Sequence, residues 1–272
     1  MEHDMLQTLR SSIARPFARS MGRSLAMTAA LAALAVSAPH RLGAQALPAA
    51  SELVAKHLTA IGGAEAFKSI TSLRQSGVME MPSMGLQAQA ENYAAAPNKM
   101  SMKASIPGIG EIVSGTNGDV AWQVNPMQGP RLLEEKELVD AREAADFYGN
   151  MLLAADRFSK METVGVVSFA GEQAYQVKFT RKGSGRESTQ YFSVASGLLI
   201  GSEATQESAM GSTTMVTVLG DYKDFAGRKF PTRSEAMVGP SKIVLKISEV
   251  SVNDVPDTAF AVPDAVKTLI KK

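Results

Sequence analysis

The 272-residue chain has no cysteine, three histidines and one tryptophan. Without cysteine there is no disulfide and no thiolate to hold a metal, so the core and the backbone ladders must carry the fold. Two of the histidines, His3 and His40, precede the region that reads as a folded domain, which leaves His57 there. The formal net charge is +1, so no excess of one sign draws the chain to nucleic acid or to anionic headgroups. Catalytic signatures are missing too. There is no Gly-x-Ser-x-Gly elbow, no phosphate-binding Gly-x-x-x-x-Gly-Lys-Ser/Thr loop and no His-Glu-x-x-His. Gly108-Ile109-Gly110 lacks the third glycine of a dinucleotide loop and follows a proline turn, so it reads as a hairpin.

The N-terminus carries the first positive signal. Arg10, Arg15, Arg19 and Arg23 precede the apolar run Leu25 to Ala38, which is about as long as a signal-peptide core and short for a bilayer span. Ala44-Gln45-Ala46 offers a small-x-small cleavage site. Residues 1–46 are therefore expected to be a signal peptide, and residues 47–272 one exported domain. An uncleaved anchor or a buried N-terminal helix is the alternative. No cysteine follows the cut to take a lipid anchor, and no later run is apolar for long enough to span a membrane.

Helical periodicity follows at once. Leu53, Val54, His57, Leu58 and Ile61 share one side, with Ser51 as a candidate N-cap and Gly62 as a stop, and helix is expected over about 51–69. From Ser72 the period becomes two. Met100, Met102, Ala104 and Ile106 alternate with Lys99, Ser101, Lys103 and Ser105, and Tyr175, Val177 and Phe179 repeat the pattern. Glycine, proline and asparagine turns separate these runs, giving about 11–12 strands joined mostly as hairpins. A helical stretch at about 134–157, with Leu138, Ala145, Phe147, Met151 and Leu152, interrupts the strands after the fifth. So many antiparallel strands predict a strongly curved sheet or partly closed barrel with room inside.

Chemistry-bearing side chains are few. His57 lies on the apolar side of its helix, as a packed residue or as a ligand or base. Asp146 and Asp156 would work as an acid–base pair only if the fold brought them together; otherwise they sit on solvated faces. Glu134, Glu135, Glu137 and Asp140 suit the positive end of a helix dipole. These patterns imply no catalytic residue, no metal site and no cofactor. Methionine is more suggestive. Of 15 methionines only Met1, Met5, Met21 and Met27 fall in the leader, and Met79, Met81, Met100, Met102, Met127, Met151 and Met215 lie on strands or helix edges. Unbranched thioethers suit a pocket for flexible acyl chains, and they also serve as ordinary core filling.

Several short motifs, in order, resemble the LolA/LolB-like periplasmic lipoprotein-carrier superfamily, with this chain as a divergent member. They are Ile70-Thr71-Ser72-Leu73, Glu91-Asn92-Tyr93 through Pro97, and Asn117-Gly118 through Trp122 to Pro126. Ala145-Asp146-Phe147 through Leu153, Tyr191-Phe192-Ser193 through Leu198, and Ala259-Phe260 to Pro263 complete the series. The resemblance implies a mainly β fold with some α: an unclosed antiparallel β-barrel around a hydrophobic cavity, with the 134–157 helices as a lid. It also implies a monomeric, non-enzymatic periplasmic carrier of lipoprotein acyl chains or another lipid, served by donor and acceptor proteins at the inner and outer membranes. The lipid-contacting residues would be Met79, Met100, Met102, Ile106, Trp122, Val124, Met127, Phe147, Met151 and Leu152. Trp122 would stand on the last strand before the lid, with Asn125-Pro126 and Gly129-Pro130 sending the chain across the opening. One position departs from the family: Ala96 stands where carriers commonly place a basic residue that locks the lid, and Lys99, Lys103 and Arg131 are the candidate substitutes. The competing reading is a non-catalytic structural or interaction module of the envelope with a filled core and no lipid cargo.

Overall fold

The computed structural model describes residues 46–208 and 211–270. The expected signal segment, apart from Ala46, lies outside the described residues. Helix α1 spans Ala50–Ala60. Its cap is Ala49 rather than Ser51: the Ala49 N–H donates to Glu52 Oε2 at 3.2 Å, so the acidic side chain in the first turn satisfies an end group that the helix cannot. Gly62 and Gly63, at φ +124° and +92°, end this helical stretch early. A Cβ at Gly62 would stand 2.4 Å from the Gly227 carbonyl oxygen, so only glycine lets the two chains approach this closely. Helix α2, Ala64–Lys68, follows.

Six strands come next: β1 Ser72–Met81, β2 Leu86–Ala95, β3 Lys99–Ile106, β4 Gly110–Thr116, β5 Ala121–Asn125 and β6 Gly129–Leu133. Helices α3, Glu135–Ala144, and α4, Phe147–Met151, interrupt the series before a 3-10 turn at Ala155–Arg157. Seven more strands follow: β7 Phe158–Phe169, β8 Glu172–Arg181, β9 Glu187–Ser193, β10 Leu199–Ser208, β11 Gly211–Phe225, β12 Arg228–Val238 and β13 Ser241–Val252. A 3-10 turn at Asp257–Phe260 and helix α5, Asp264–Lys267, complete the described chain. None of these helices is long and apolar enough to cross a membrane.

All 13 strands form one antiparallel sheet in the order β6-β5-β4-β3-β2-β1-β13-β12-β11-β10-β9-β8-β7. Two meanders, β1–β6 and β7–β13, are joined where the first strand pairs with the last, Leu73 opposite Val252. The free edges are therefore β6 and β7, and the α3–α4 insertion is the chain that passes from one edge to the other.

This corrects the expected path after Trp122. Asn125 to Gly129 forms a hairpin, and a sixth strand returns along β5 with Pro130 opposite Val124. Proline lacks the amide that a central strand needs, but an edge strand leaves one side of its backbone unpaired and tolerates it.

The sheet has an inner face, covered by the helices, and an outer face. Inside, Leu53 and Val54 of α1 pack on Val177, Phe179 and Phe192, while Phe67 of α2 packs with Ile61, Ile70, Phe147 and Phe230. Each large side chain so buried contributes about 1.5–3 kcal/mol. The outer face around β1–β4 carries the ion pairs Arg74–Glu91, Lys103–Glu111 and, from β13, Lys246–Glu80. The C-terminal turns cover part of that same outer face: Asp257 pairs with Lys99 at 2.9 Å, and Phe260 lies beneath the Lys99 ammonium. Helix α5 touches β6.

Candidate functional site

Between the inner face and the helices lies an apolar cavity of about 300 Å3. Sequence places its walls through simple rules. Period-two alternation turns Leu73 of β1, Ala94 of β2 and Leu219 of β11 inward, while helical spacing turns His57 of α1 and the C-cap Ile61 toward them. Phe67 and Phe230 close one side, and Ala145, Phe147 and Met151 of the insertion close another. The small side chains of Ala94, Ala144 and Ala145 leave the space that larger residues would fill.

His57 is the buried polar residue of this lining, which also includes Tyr222, Asp146, Asn150 and Lys229. His57 is 6% exposed, and its Nδ1 accepts a hydrogen bond from the Leu199 N–H at 3.0 Å. The Leu199 carbonyl accepts from Tyr222 Oη at 2.7 Å, so one residue at the start of β10 ties α1 to β11. Burial lowers the His57 pKa from its ordinary 6.5 to about 4, because a charged imidazole loses its hydration there. Burial likewise pushes the Tyr222 phenol up. The ring of Phe192 meets the imidazole edge-on, with centroids 5.8 Å apart.

The insertion is fastened mainly by arginines. From the β6 edge Arg131 grips both oxygens of Glu137 in α3 at 2.8 and 3.0 Å, and donates through Nε to Gln123. Arg142 of α3 donates to the Gly118 and Asp119 carbonyls at the β4–β5 turn. On the far side Arg181 of β8 reaches Asp146 Oδ2 at 3.1 Å and the Glu143 carbonyl at 3.0 Å, and Arg186 pairs with Asp140 and Glu143. Asp146 also caps α4, accepting from the Gly149 N–H at 3.2 Å. A Cβ at Gly149 would lie 2.1 Å from the Asp146 carboxylate, which is why glycine stands there.

Ala96, where a basic residue was expected, packs against the Phe147 cluster, and the neighbouring Pro97 carbonyl accepts the Phe147 N–H at 3.0 Å. Of the candidate substitutes, Lys99 and Lys103 serve outer-face ion pairs, and only Arg131 reaches the insertion.

The ten residues expected to contact lipid separate into groups. Phe147 and Met151 line the cavity, and Leu152 packs against the same aromatic cluster. Met100 stands beside the lining residue Ala94 in register, on the inner face. Met79, Met102 and Ile106 form another inner cluster with Ala88 and Ala104. Met79 lies six residues along β1 from Leu73, about 20 Å at strand rise. Trp122 and Val124 point to the outer face, and Trp122 is 1% exposed. Met127 is 84% exposed at the tip of the β5–β6 hairpin. Trp122 is thus neither at a hinge of the insertion nor at the cavity.

Sequence reasoning did not assign Leu73, Leu219, Tyr222 or Phe230 to the site, because their convergence depends on β1, β11 and β12 being brought together across the sheet. His57 did carry a signal, as a polar residue on an apolar helix side.

A second depression, of about 350 Å3, crosses the outer face of β8–β11 and is lined by polar groups including Gln176, Lys178, Thr189 and Glu203. It is open to solvent, and its charges have water as a competitor for any ligand. Among the described residues no group of three or more His, Asp or Glu side chains is placed to hold a metal ion. Asp146 is occupied by Arg181 and the α4 cap, and Asp156 pairs with Arg157.

No protein-family model matches this sequence, and no curated protein does. Solved structures do resemble it. A DUF1329 family protein from Desulfovibrio piger superposes with a TM-score of 0.53 at 10% identity, over 79% of this chain and 98% of that one. A LolA superfamily protein from Nitrosomonas europaea gives 0.51 at 14%, over 79% and 99%. A Vibrio parahaemolyticus domain described as that of an outer membrane lipoprotein-sorting protein gives 0.51 at 8%, over 82% and 100%. At these identities the likeness is one of fold. The sheet has the open, unclosed antiparallel β-barrel architecture of LolA-superfamily proteins.

Proposed function

We propose that this chain is a periplasmic carrier that holds a lipid acyl chain in the cavity between the inner face and the α3–α4 insertion. The observation that carries this reading is the cavity itself: mainly apolar walls with a few polar groups, bordered by the helical insertion that joins the two free edges of the sheet. Ligand sites of soluble proteins have this character and start at about this size, roughly 300 Å3. The shared fold supports the reading, since one of the fold's other bearers is described as sorting outer membrane lipoproteins. The leader-like N-terminus supports export. In this reading the insertion is the lid, residues 1–46 are removed on export, and membrane-bound donor and acceptor proteins load and unload the cargo.

The volume narrows the cargo. A methylene is about the size of a water molecule, ~30 Å3 in the liquid, so the cavity accommodates roughly ten methylenes of one chain. At ~0.8 kcal/mol per buried methylene that is about 8 kcal/mol before the costs of association, which sets micromolar affinity as a ceiling. Weak, non-directional binding suits a carrier that must release its load. A cargo with two or three chains needs the insertion to swing outward and open more of the inner face, where the Met79, Met102 and Ile106 cluster continues the apolar wall.

Protein isolated from the periplasm, examined by native mass spectrometry and lipid extraction, tests this. The expected result is a co-purifying single-chain or acylated lipid and displaceable binding of a fluorescent fatty acid. Ala94→Trp, which fills the cavity from β2, should abolish that binding while leaving the melting temperature within a few degrees. Lipid-free protein that also fails to bind the probe would replace the carrier with a non-catalytic envelope interaction module.

A further inference from the structure

His57 has one ring nitrogen to spare. The Leu199 amide can only donate, so Nδ1 must be the accepting nitrogen, and in the neutral imidazole the proton then sits on Nε2. Nε2–H has no hydrogen-bond partner among the described residues. Among the described residues two buried side-chain nitrogens are completely enclosed without partners, Arg74 Nε and Trp122 Nε1, and His57 Nε2 is not one of them. Nε2 is therefore not sealed off, and His57 is one of the residues that line the apolar cavity.

The other recessed polar groups of the cavity wall are committed. Tyr222 donates to Leu199, and Asp146 accepts from Arg181 and Gly149. Asn150 donates to the Glu143 and Ala144 carbonyls. Lys229 is an exposed member of the lining, so the buried donor is the one on helix α1, held in a fixed tautomer by the β10 backbone.

The geometry points to His57 Nε2–H as the specificity element of the cavity, donating to an uncharged oxygen acceptor on the ligand. The ligand class is an acyl chain carrying an ester or amide carbonyl. This rests on the cavity being a ligand site, as proposed above, and adds what that reading leaves open: which functional group enters with the chain. A carboxylate would have to draw on Lys229, an exposed lining residue whose charge water screens, whereas an ester carbonyl beside His57 is satisfied by its single neutral donor. A plain alkane would leave the imidazole N–H without a partner, the situation in which a polar site rejects a ligand that lacks the matching group.

The test compares methyl decanoate with tridecane, which has the same number of heavy atoms, by displacement of a fluorescent probe from the purified protein. Hydration differences between the two ligands cancel when their affinity ratio is compared across variants. The ester-to-alkane ratio should fall about tenfold in His57→Phe, the worth of one hydrogen bond in a buried site. It should be largely retained in His57→Gln, whose amide both accepts and donates. In the wild-type protein the ester, and not the alkane, should shift the 15N resonance of His57 Nε2, a readout that stands even if His57→Phe does not fold. If both ligands bind but the ratio is unchanged and Nε2 unshifted, this inference falls and the cavity reading survives. If neither ligand binds, the cavity reading falls and takes this inference with it.

Discussion

Met100 and Trp122 occupy neighbouring rows of one sheet and face opposite ways. Met100 pairs across Thr116 with Ala121, while Trp122 pairs with Gly115 in the next row, its ring lying against the space a Gly115 Cβ would take. One residue of register therefore separates the inner wall from a core on the outer side, where the C-terminal turns bury Phe260 and Val266.

That placement makes Trp122 a stability residue. Trp122→Ala is expected to cost about 3–5 kcal/mol, from the lost burial and the cavity left behind. Trp122→Phe should cost much less than the volume change suggests, about 1 kcal/mol, because it also removes an indole N–H that is buried without a partner. Neither variant should change ligand affinity once its folded fraction is accounted for. Denaturant titration alongside probe binding checks both, and a binding loss in Trp122→Phe with unchanged stability would overturn the assignment.

His57 ties stability to pH. Its folded pKa, about 4, lies below the ordinary 6.5, so as pH falls the unfolded chain takes up this proton first. The stabilisation from keeping the ring neutral is fully present above pH 6.5 and is lost progressively toward pH 4. The whole window is worth on the order of 3 kcal/mol. Carboxylates held low by ion pairs, such as Glu80, Glu91 and Glu111, add their losses at more acidic pH. Urea melts between pH 7 and pH 4 should show a smaller decline for His57→Gln than for the wild type.

Arg181 is the main tie between the second meander and the insertion. Its guanidinium is 13% exposed, contacts Asp146 and the Glu143 carbonyl, and lies over Phe158. Arg181→Met should cost about 2–3 kcal/mol, because it leaves a half-buried carboxylate short of a partner. Hydrogen exchange should accelerate in residues 143–153 before it does in the sheet. Uniform acceleration across the sheet would mean that the insertion and the barrel unfold together.

Gly149→Ala should behave similarly through a different route. The new methyl displaces the Asp146 carboxylate from the α4 cap, at about 1 kcal/mol for the cap and more for the shifted ion pair. Crystal structures or backbone chemical shifts would locate the disturbance at residues 145–152. A variant as stable as the wild type, with Asp146 unmoved, would contradict this account.

Much of the architecture was legible in the residues. Alternation in Met100 to Ile106 and in Tyr175 to Phe179 marks strands with one apolar side, because successive side chains in a strand must point opposite ways. The turn residues then make the connections hairpins and the sheet antiparallel. The interruption at about 134–157 was legible too, since its apolar residues change period. The short strand Gly129–Leu133 was not: Pro126, Gly129 and Pro130 read as a break, and only its position at the sheet edge makes Pro130 acceptable.

The sequence by itself determined local matters: where strands and helices form, which side of each is apolar, and that no cysteine-bound metal or disulfide takes part. Only the tertiary structure decided which apolar sides share a cavity. Periodicity assigns two faces to every strand but carries no sign that says which face turns inward relative to a distant strand, and a one-residue bulge such as that at Ser76–Gly77 reverses it. Hence Phe147 and Met151 meet Leu73, Leu219 and Phe230 around His57, while Trp122, on an equally apolar strand, is buried on the other side of the sheet.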